Sequence, residues 1–457
     1  MFVFINQFLG RMGWAKLIVS CALAFALPNS EFHVTTTCVR ATWHHAVAET
    51  APVSTDQAAL TLDKAIAYAL QGNPGLAEIK ARAEALASIP AQAGALDDPT
   101  VNFDMLNVPT RSFNLRKEDM TMMELGISQA LPFPGKLALR EKIAKQEALA
   151  ASDSVDEARL RLVRDVKQNW WRLYYYDQAA LLLNEAEQFF LQLIEISQAK
   201  YQLGKGTQQD VLLAQMELSK LKDEKLDLIS MRHSLANQFN VLLDKLPEKP
   251  VIIPQQADFK LPNLTESGLQ EKALQTRPLF AQHQKMLDAA VAKVDLAKRN
   301  VYPDFTVGAG YAVRQNSPTG EARSDFASVR LSMNLPIYAG QKQKKAIDQR
   351  QSELMQERYA LQDEHHKIQA EIASKAAEYQ HAKEKLQLLE NEIIPQAQQT
   401  VNSLLAGYQV SQSDFSDLLR TQLSYLQYQT QYWLVLTNSQ QLLAELSADV
   451  GEELAHD

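Results

Sequence analysis

The chain has 457 residues, 46% of them hydrophobic and 22% charged, with a formal net charge of -8. That balance is too apolar for a disordered chain and lacks the basic surplus of a nucleic-acid binder, so no nucleic-acid partner is expected. Length alone suggests about three domains, but the internal duplication described below argues for a single structural unit.

The N-terminal segment carries Arg11 and Lys16, then an apolar run from Leu17 to Leu27, then Pro28. Residues 1–27 read as a signal peptide, with a run too short for a spanning helix. Cys21 lies in that run and Cys38 shortly after it, and residues 39–457 hold no cysteine, so the body has no disulfide framework. Ile18-Val19-Ser20 ahead of Cys21 loosely resembles a lipidation box, but Lys16 leaves only a short apolar lead, and simple cleavage near residues 24–26 is the expectation. In residues 28–58, His33, Cys38, His44 and His45 form either a metal-gathering tail or a flexible leader. They lack the ligand spacing of a known site, which favours the leader.

From residue 59 the chain repeats itself. Asn73-Pro74 recurs as Arg277-Pro278, Asp98-Pro99 as Tyr302-Pro303, and Leu131-Pro132 as Leu335-Pro336, each pair 204 residues apart. Tyr201-Gln202-Leu203 and Asp210-Val211-Leu212 return 207 residues later as Tyr408-Gln409-Val410 and Asp417-Leu418-Leu419. A period this long marks two copies of one large module, about 59–254 and 264–457, instead of a solenoid of short repeats.

Each copy holds a strand pair. Residues 100–108, 120–131, 304–314 and 326–335 have about the length that a tilted barrel strand needs. In the third, Phe305, Val307, Ala309, Tyr311 and Val313 alternate with Thr306, Gly308, Gly310, Ala312 and Arg314. In the fourth, Val329, Leu331, Met333 and Leu335 alternate with Ser328, Arg330, Ser332 and Asn334. Period two with one apolar and one small or polar face fits a membrane barrel, and by pattern alone it equally fits two hairpins covering a soluble core. The polar links 111–119 and 315–325 resemble the long external loops of barrels. Four strands cannot close a barrel whose minimum is about eight, so a barrel requires several copies, and three would give about twelve strands.

The rest reads as very long helices. Residues 136–203 and 341–406 contain no glycine, and Pro395 is their one proline. Ile368, Ile372, Ala376, Tyr379, Ala382, Leu386, Leu389 and Ile393 recur at steps of three and four, a coiled-coil seam with polar residues on the other faces. Short breaks at 203–207 and 410–414 precede return helices at about 208–246 and 415–446, and Pro247, Pro250 and Pro254 mark the crossing between copies.

The chemistry-bearing candidates are few. Trp170-Trp171 and Tyr174-Tyr175-Tyr176 either bind an aromatic ligand or pack on neighbouring helices, and adjacent helical positions favour packing. Gly308-Ala309-Gly310 and Gly204-Lys205-Gly206-Thr207 both fall short of phosphate-loop spacing. His365 and His366 point about 100° apart on a helix, unlike the i, i+4 pair of a zinc helix, and read as a solvated or lumen-facing patch. No nucleophile elbow, His-Glu-x-x-His or Cys-His cluster occurs, so an enzyme, a cofactor and a bound metal are not expected.

This arrangement, with Leu131-Pro132-Phe133-Pro134-Gly135-Lys136 closing the first hairpin and Leu335-Pro336-Ile337-Tyr338-Ala339-Gly340 the second, resembles the TolC family of outer-membrane efflux proteins from about residue 60 onward. The Pro-Phe-Pro-Gly-Lys run most resembles the heavy-metal branch, the CusC- and CzcC-like channels. The resemblance implies a mainly α fold with a small β part: antiparallel coiled-coil helices forming an α-barrel, and four strands per protomer contributing to a trimeric twelve-stranded transmembrane β-barrel. It also implies outer-membrane lipid around that barrel, a large periplasmic portion, a periplasmic adaptor, and an inner-membrane pump of the resistance-nodulation-division type.

By the same resemblance the tips Leu203, Gly204, Lys205, Val410 and Ser411 contact the adaptor. An aperture is expected at Asp417, which stands nine residues after Tyr408, as the family pattern requires. Arg420 occupies a place where the family often has a second aspartate, so either it weakens a cation filter or it pairs with Asp417 to latch the tip. Asp414 joins the ring or caps its helix, and Asp210 caps or packs the first tip. A soluble periplasmic coiled-coil scaffold or adaptor is the competing reading.

Overall fold

The computed structural model describes residues 59–454. The expected signal peptide and leader, with Cys21, Cys38, His33, His44 and His45, lie outside the described residues. In chain order, α1 (Leu62–Gly72), α2 (Pro74–Ala87) and α3 (Ile89–Gly94) lead to β1 (Thr100–Leu106) and β2 (Met122–Leu131), and then to α4 (Lys136–Gln202) and α5 (Gln208–Leu242). After an irregular crossing come α6 (Glu266–Thr276), α7 (Pro278–Arg299), β3 (Phe305–Val313), β4 (Phe326–Met333), α8 (Gln343–Leu388), a π turn (Leu389–Ile393), α9 (Ile394–Gln409) and α10 (Phe415–Val450). Pro74 and Pro278 each occupy the first position of a helix, where a missing N–H costs nothing.

Nine buried positions of one core recur in another. Ala65, Ala69, Leu76, Leu162, Val166, Leu235, Ala236, Phe239 and Leu243 hold α1, α2, α4 and α5 together. Leu269, Ala273, Phe280, Ile368, Ile372, Leu442, Leu443, Leu446 and Val450 do the same for α6, α7, α8 and α10. The offset between these counterparts is 204 through α1 and α2, 206 at Leu162 and Ile368, and 207 at Leu235 and Leu442. The step from 206 to 207 coincides with the π turn, whose wider i→i+5 winding absorbs one extra residue. Pro395 follows directly, unable to donate to the carbonyl four residues back. The second long helix is therefore interrupted where the sequence pattern suggested a continuous rod.

Corresponding ties also anchor the helix breaks. The Asn73 side chain caps α2 at the Leu76 N–H (3.0 Å) and donates to the Leu242 carbonyl (3.1 Å). At the equivalent place Arg277 reaches the Asp449 carbonyl and carboxylate, both at 3.5 Å, and pairs with Glu157 at 3.2 Å. Asp449 in turn holds Lys375 of α8 at 2.7 Å. This buried network joins α4, α8 and α10 at the α6–α7 break. Helix α10 runs to Val450, beyond the expected stop near 446, because the stop signal is Gly451, left-handed at φ 84.

The aromatic run is a packing cluster. Trp171 and Tyr174 lie against Phe259, Tyr174 also against Trp433, and Trp170 against both Trp171 and Tyr174, with the Trp170 indole donating to the Leu60 carbonyl at 3.0 Å and the Tyr174 hydroxyl to that of Gln255 at 3.1 Å. Of the pair expected as a solvated or lumen-facing patch, His366 is exposed and His365 is half-buried, its ring 4.4 Å from that of Phe280.

The four strands form one antiparallel sheet in the order β1-β2-β3-β4, each two residues shorter than the sequence pattern suggested. The sheet is locked to the helices at one joint. Lys136, buried at the start of α4, donates to the Tyr302 carbonyl (2.9 Å) and the Asp304 carboxylate (2.8 Å). Asp304 also accepts the Phe133 N–H at 2.7 Å, and the Phe133 ring stacks on Tyr302 at 4.6 Å. The Pro-Phe-Pro-Gly-Lys run thus clamps the exit of the first hairpin onto the lead-in to the second.

Two expectations follow. A Cβ on Gly451 would lie 2.7 Å from the Arg277 Cα, in a left-handed conformation that disfavours any side chain. Gly451→Ala should therefore cost about 2 kcal/mol or more, read as a lowered Tm in detergent. Partial burial pushes the Asp304 carboxyl up, but the Lys136 ammonium and the Phe133 N–H outweigh it and hold the group below its ordinary value. The joint's stability is then fully present above the unfolded carboxylate pKa near 4 and is lost as pH falls through the lower folded value. The Tm advantage of the wild type over Asp304→Asn should be largest near neutrality and vanish in strong acid; an advantage independent of pH would contradict the ion pair.

Candidate functional site

The sheet register sorts the side chains into two unlike faces. On one, Val101, Ile127, Ala309 and Val329 form a continuous cross-strand row, flanked by the row Phe103, Leu125, Tyr311 and Ala327. These side chains are exposed, Val329 at 87% and Val101 at 67%. On the other face the rows read Asn102, Gly126, Gly310, Ser328 and Thr100, Ser128, Gly308, Arg330. A contiguous apolar face turned to solvent is a surface that lipid or protein covers. Strands β1 and β4 form the two edges of the sheet, and each pairs on one side only.

The polar face holds charges that the sequence reading did not single out. Asp104 stands directly across from Glu124, a like-charged pairing that destabilises a sheet. Glu124 turns away from it, lies over Gly310 and accepts the Ser328 hydroxyl at 2.6 Å. A side chain at position 310 would occupy the space of that carboxylate. The alternation predicts which face these residues share, but not this tie, whose partners are 204 residues apart. Beyond the strands the two polar loops are joined: Arg323 pairs with Asp119 and donates to the Arg116 (3.1 Å) and Glu118 (3.2 Å) carbonyls. Arg314 reaches the Asp119 carbonyl at 3.1 Å.

The helical turns lie at the other candidate region. Gly204 and Ser411 occupy equivalent places and share a left-handed backbone, at φ 66 and 62. Leu203, Gly204, Lys205, Val410 and Ser411 are all exposed. The N-cap of α5 is Thr207, whose hydroxyl accepts the Asp210 N–H at 3.2 Å. Asp210 is therefore not the cap. Its carboxylate instead accepts the Thr207 hydroxyl (2.7 Å) and the Tyr408 hydroxyl (3.1 Å), linking the two turns. The spacing Thr207-x-x-Asp210 is a capping-box pattern that could have located this arrangement in the sequence. Lys200 adds a second link: its ammonium donates to the Tyr408 carbonyl and lies 4.1 Å from the centre of that ring. Burial first, and then the charge of Asp210, push the Tyr408 phenol well up, so it stays a proton donor to the carboxylate.

In the second turn Asp414 is the N-cap of α10, accepting the Ser416 N–H at 3.3 Å. Asp417, the counterpart of Asp210, is exposed and pairs with Arg420 at 3.6 Å. That pair lies within one turn of one helix and joins no two elements of the chain. Such exposed pairs contribute little to stability.

The outer membrane efflux protein family model matches residues 65–243 and 269–452, leaving out the irregular crossing between α5 and α6. The chain is 24% identical over 191 residues to the cobalt-zinc-cadmium resistance protein CzcC of Cupriavidus metallidurans, which covers 42% of this chain and 44% of that relative. The aligned stretch thus spans less than half the length of that relative. Among solved structures, the outer-membrane channel OprN superposes with a TM-score of 0.73 at 14% identity, over 85% of this chain and 89% of its own. CusC superposes with a TM-score of 0.72 at 16% identity, over 86% and 93%. The fold is mainly α with one small sheet, as in those channels. The chain belongs to the outer membrane efflux protein family, and not to the soluble periplasmic scaffolds that its coiled-coil helices alone would also suit.

Proposed function

We propose that three copies of this chain form a passive export duct in the outer membrane. The observation that carries the reading is the two-faced sheet with open edges. In hydrocarbon an unpaired strand edge is not tolerated, so the sheet must close on copies of itself. Three copies give about twelve strands, enough for a closed barrel whose apolar rows face lipid and whose polar rows line water. The 67 residues of α4 extend about 100 Å, a reach suited to a tunnel crossing the periplasm.

The exposed turns at Leu203, Gly204, Lys205, Val410 and Ser411 then serve as the contact for a periplasmic adaptor, which links the duct to an inner-membrane pump of the resistance-nodulation-division type. The pump supplies the energy and selection, and this chain performs no catalysis. Divalent metal cations are the favoured cargo, supported by the relationship to a cobalt-zinc-cadmium resistance protein and by the Pro-Phe-Pro-Gly-Lys run. Three Asp417 carboxylates around the axis form the periplasmic aperture and favour cations, with Arg420 tempering their charge and Asp414 chiefly setting the helix start.

Fractionation tests the reading directly: the chain is expected in outer membranes as a detergent-extracted trimer, and a freely soluble monomer would sink it. In planar bilayers Asp417→Ala should weaken block by divalent cations added from the periplasmic side, and unchanged block removes Asp417 from the aperture. Tyr408→Phe deletes the hydroxyl that ties the second turn to Asp210 and should raise the conductance of the trimer. A conductance equal to wild type would mean that this bond does not restrain the tip.

A further inference from the structure

The two hairpins leave the sheet in equivalent ways but meet different surroundings. After β2, Phe133 stacks on Tyr302, and Lys136 is sealed against Asp304, so the first exit is covered by the lead-in to β3. After β4, the equivalent Ile337 and Tyr338 meet no such cover: they are 76% and 72% exposed. The place equivalent to Tyr302-Pro303 is Asp98-Pro99, at the lead-in to β1, and there too the chain is bare. Next to it, Ile89 and Leu96 are exposed apolar side chains.

The same asymmetry recurs along the return helices. Ile229 of α5 is 51% exposed, whereas its counterpart Leu436 of α10 is 5% exposed. Leu212 and Met216 are exposed, whereas their counterparts Leu419 and Leu423 pack on the core that α10 shares with α4. Surfaces covered inside the chain in one half are uncovered in the other. The two kinds of bare surface lie on opposite repeats, as a head-to-tail ring requires.

We infer that a second copy of this chain seats its Ile337-Tyr338 exit on the Ile89, Leu96 and Asp98-Pro99 lead-in of the first. The collar between barrel and helices then alternates two kinds of joint. Joints within a chain carry the Lys136–Asp304 ion pair and the Lys293–Glu147 pair at 2.7 Å. At the joints between chains the positions of Asp304 and Lys293 are Thr100 and Ile89, so neither ion pair has a counterpart there. This deepens the trimer reading and rests on it. The alternative cover for Tyr338 is lipid, but its counterpart exit is sealed by polypeptide, which favours the second copy.

The test places a photoreactive benzoylphenylalanine at Tyr338 in the full-length, detergent-extracted protein, with the same group at Phe133 as the internal comparison. Irradiation at 338 should produce species with the mass of two or three chains, with adducts mapped by mass spectrometry to residues 89–100. Irradiation at 133 should leave single chains with adducts near 299–304. Adducts to lipid, or none between chains, in a sample that native mass spectrometry shows to be trimeric would overturn the inference and leave the trimer standing. Absence of trimers in that spectrum sinks the trimer reading itself and this joint with it. Ile337→Ser with Tyr338→Ser gives an independent check, since loss of trimer with unchanged helical circular dichroism is expected. Trimers unaffected by the pair of substitutions would also count against the joint.

Discussion

A backbone group left unpaired in hydrocarbon costs several kcal/mol, and that constraint governs the rest of this molecule. The sheet satisfies its internal ladder, from Thr100 paired with Ser128 to Phe305 paired with Met333, and then stops at two edges. Such edges are templates for another chain. Here the apolar rows on one face also need cover, and a single arrangement answers both demands: closure into a ring that lipid surrounds. The proposed duct rests on this property of the sheet, and the long helices are what the sheet is connected to.

The connection is made where backbone direction changes. Phe133, Lys136, Tyr302 and Asp304 fix the angle between hairpin and helix, and Lys136 is buried with its charge matched. Farther along, Arg277 and Asn73 sit at matching helix breaks and tie each to the carboxyl end of the returning helix. These polar ties specify position, and the nine recurring apolar sites supply the burial. Each half thus has its own core, and a third cluster around Phe190, Leu418 and Tyr408 joins the halves toward the turns.

Much of this was legible in the sequence, for identifiable reasons. Proline positions repeated at 204 residues mark helix starts and strand ends, because proline tolerates few other places. The absence of glycine from the long arms indicates helix, and period two marks the sheet faces. What was not legible depends on pairings far apart in sequence or on one-residue changes in winding. The π turn at Leu389–Ile393 leaves no mark in the apolar seam, whose steps of three and four run through Leu386, Leu389 and Ile393, because the wider winding absorbs the extra residue. The Lys136–Asp304 and Tyr408–Asp210 contacts join groups that no local pattern relates. Helix α10 outran its expected end because Gly451, and not the last seam residue, sets the stop. The turn residues could be named, but the partners of Asp210 and the exposure of Asp417 required coordinates.

Those two aspartates show how a duplicated position acquires separate roles. Both occupy the third position of a return helix, and each follows a cap three residues earlier. In the first turn the cap is Thr207, whose hydroxyl both accepts the Asp210 N–H and donates to its carboxylate, leaving the second oxygen for Tyr408. In the second turn the cap is Asp414, whose side chain lacks the hydroxyl that Thr207 donates to Asp210. Asp417 is exposed and pairs with Arg420 of the same helix turn. A threonine-to-aspartate difference at the cap thus separates a part-buried tie between the turns from an exposed carboxylate beside Arg420. The first copy holds the two turns together, and the second leaves its carboxylate at the surface beside Arg420.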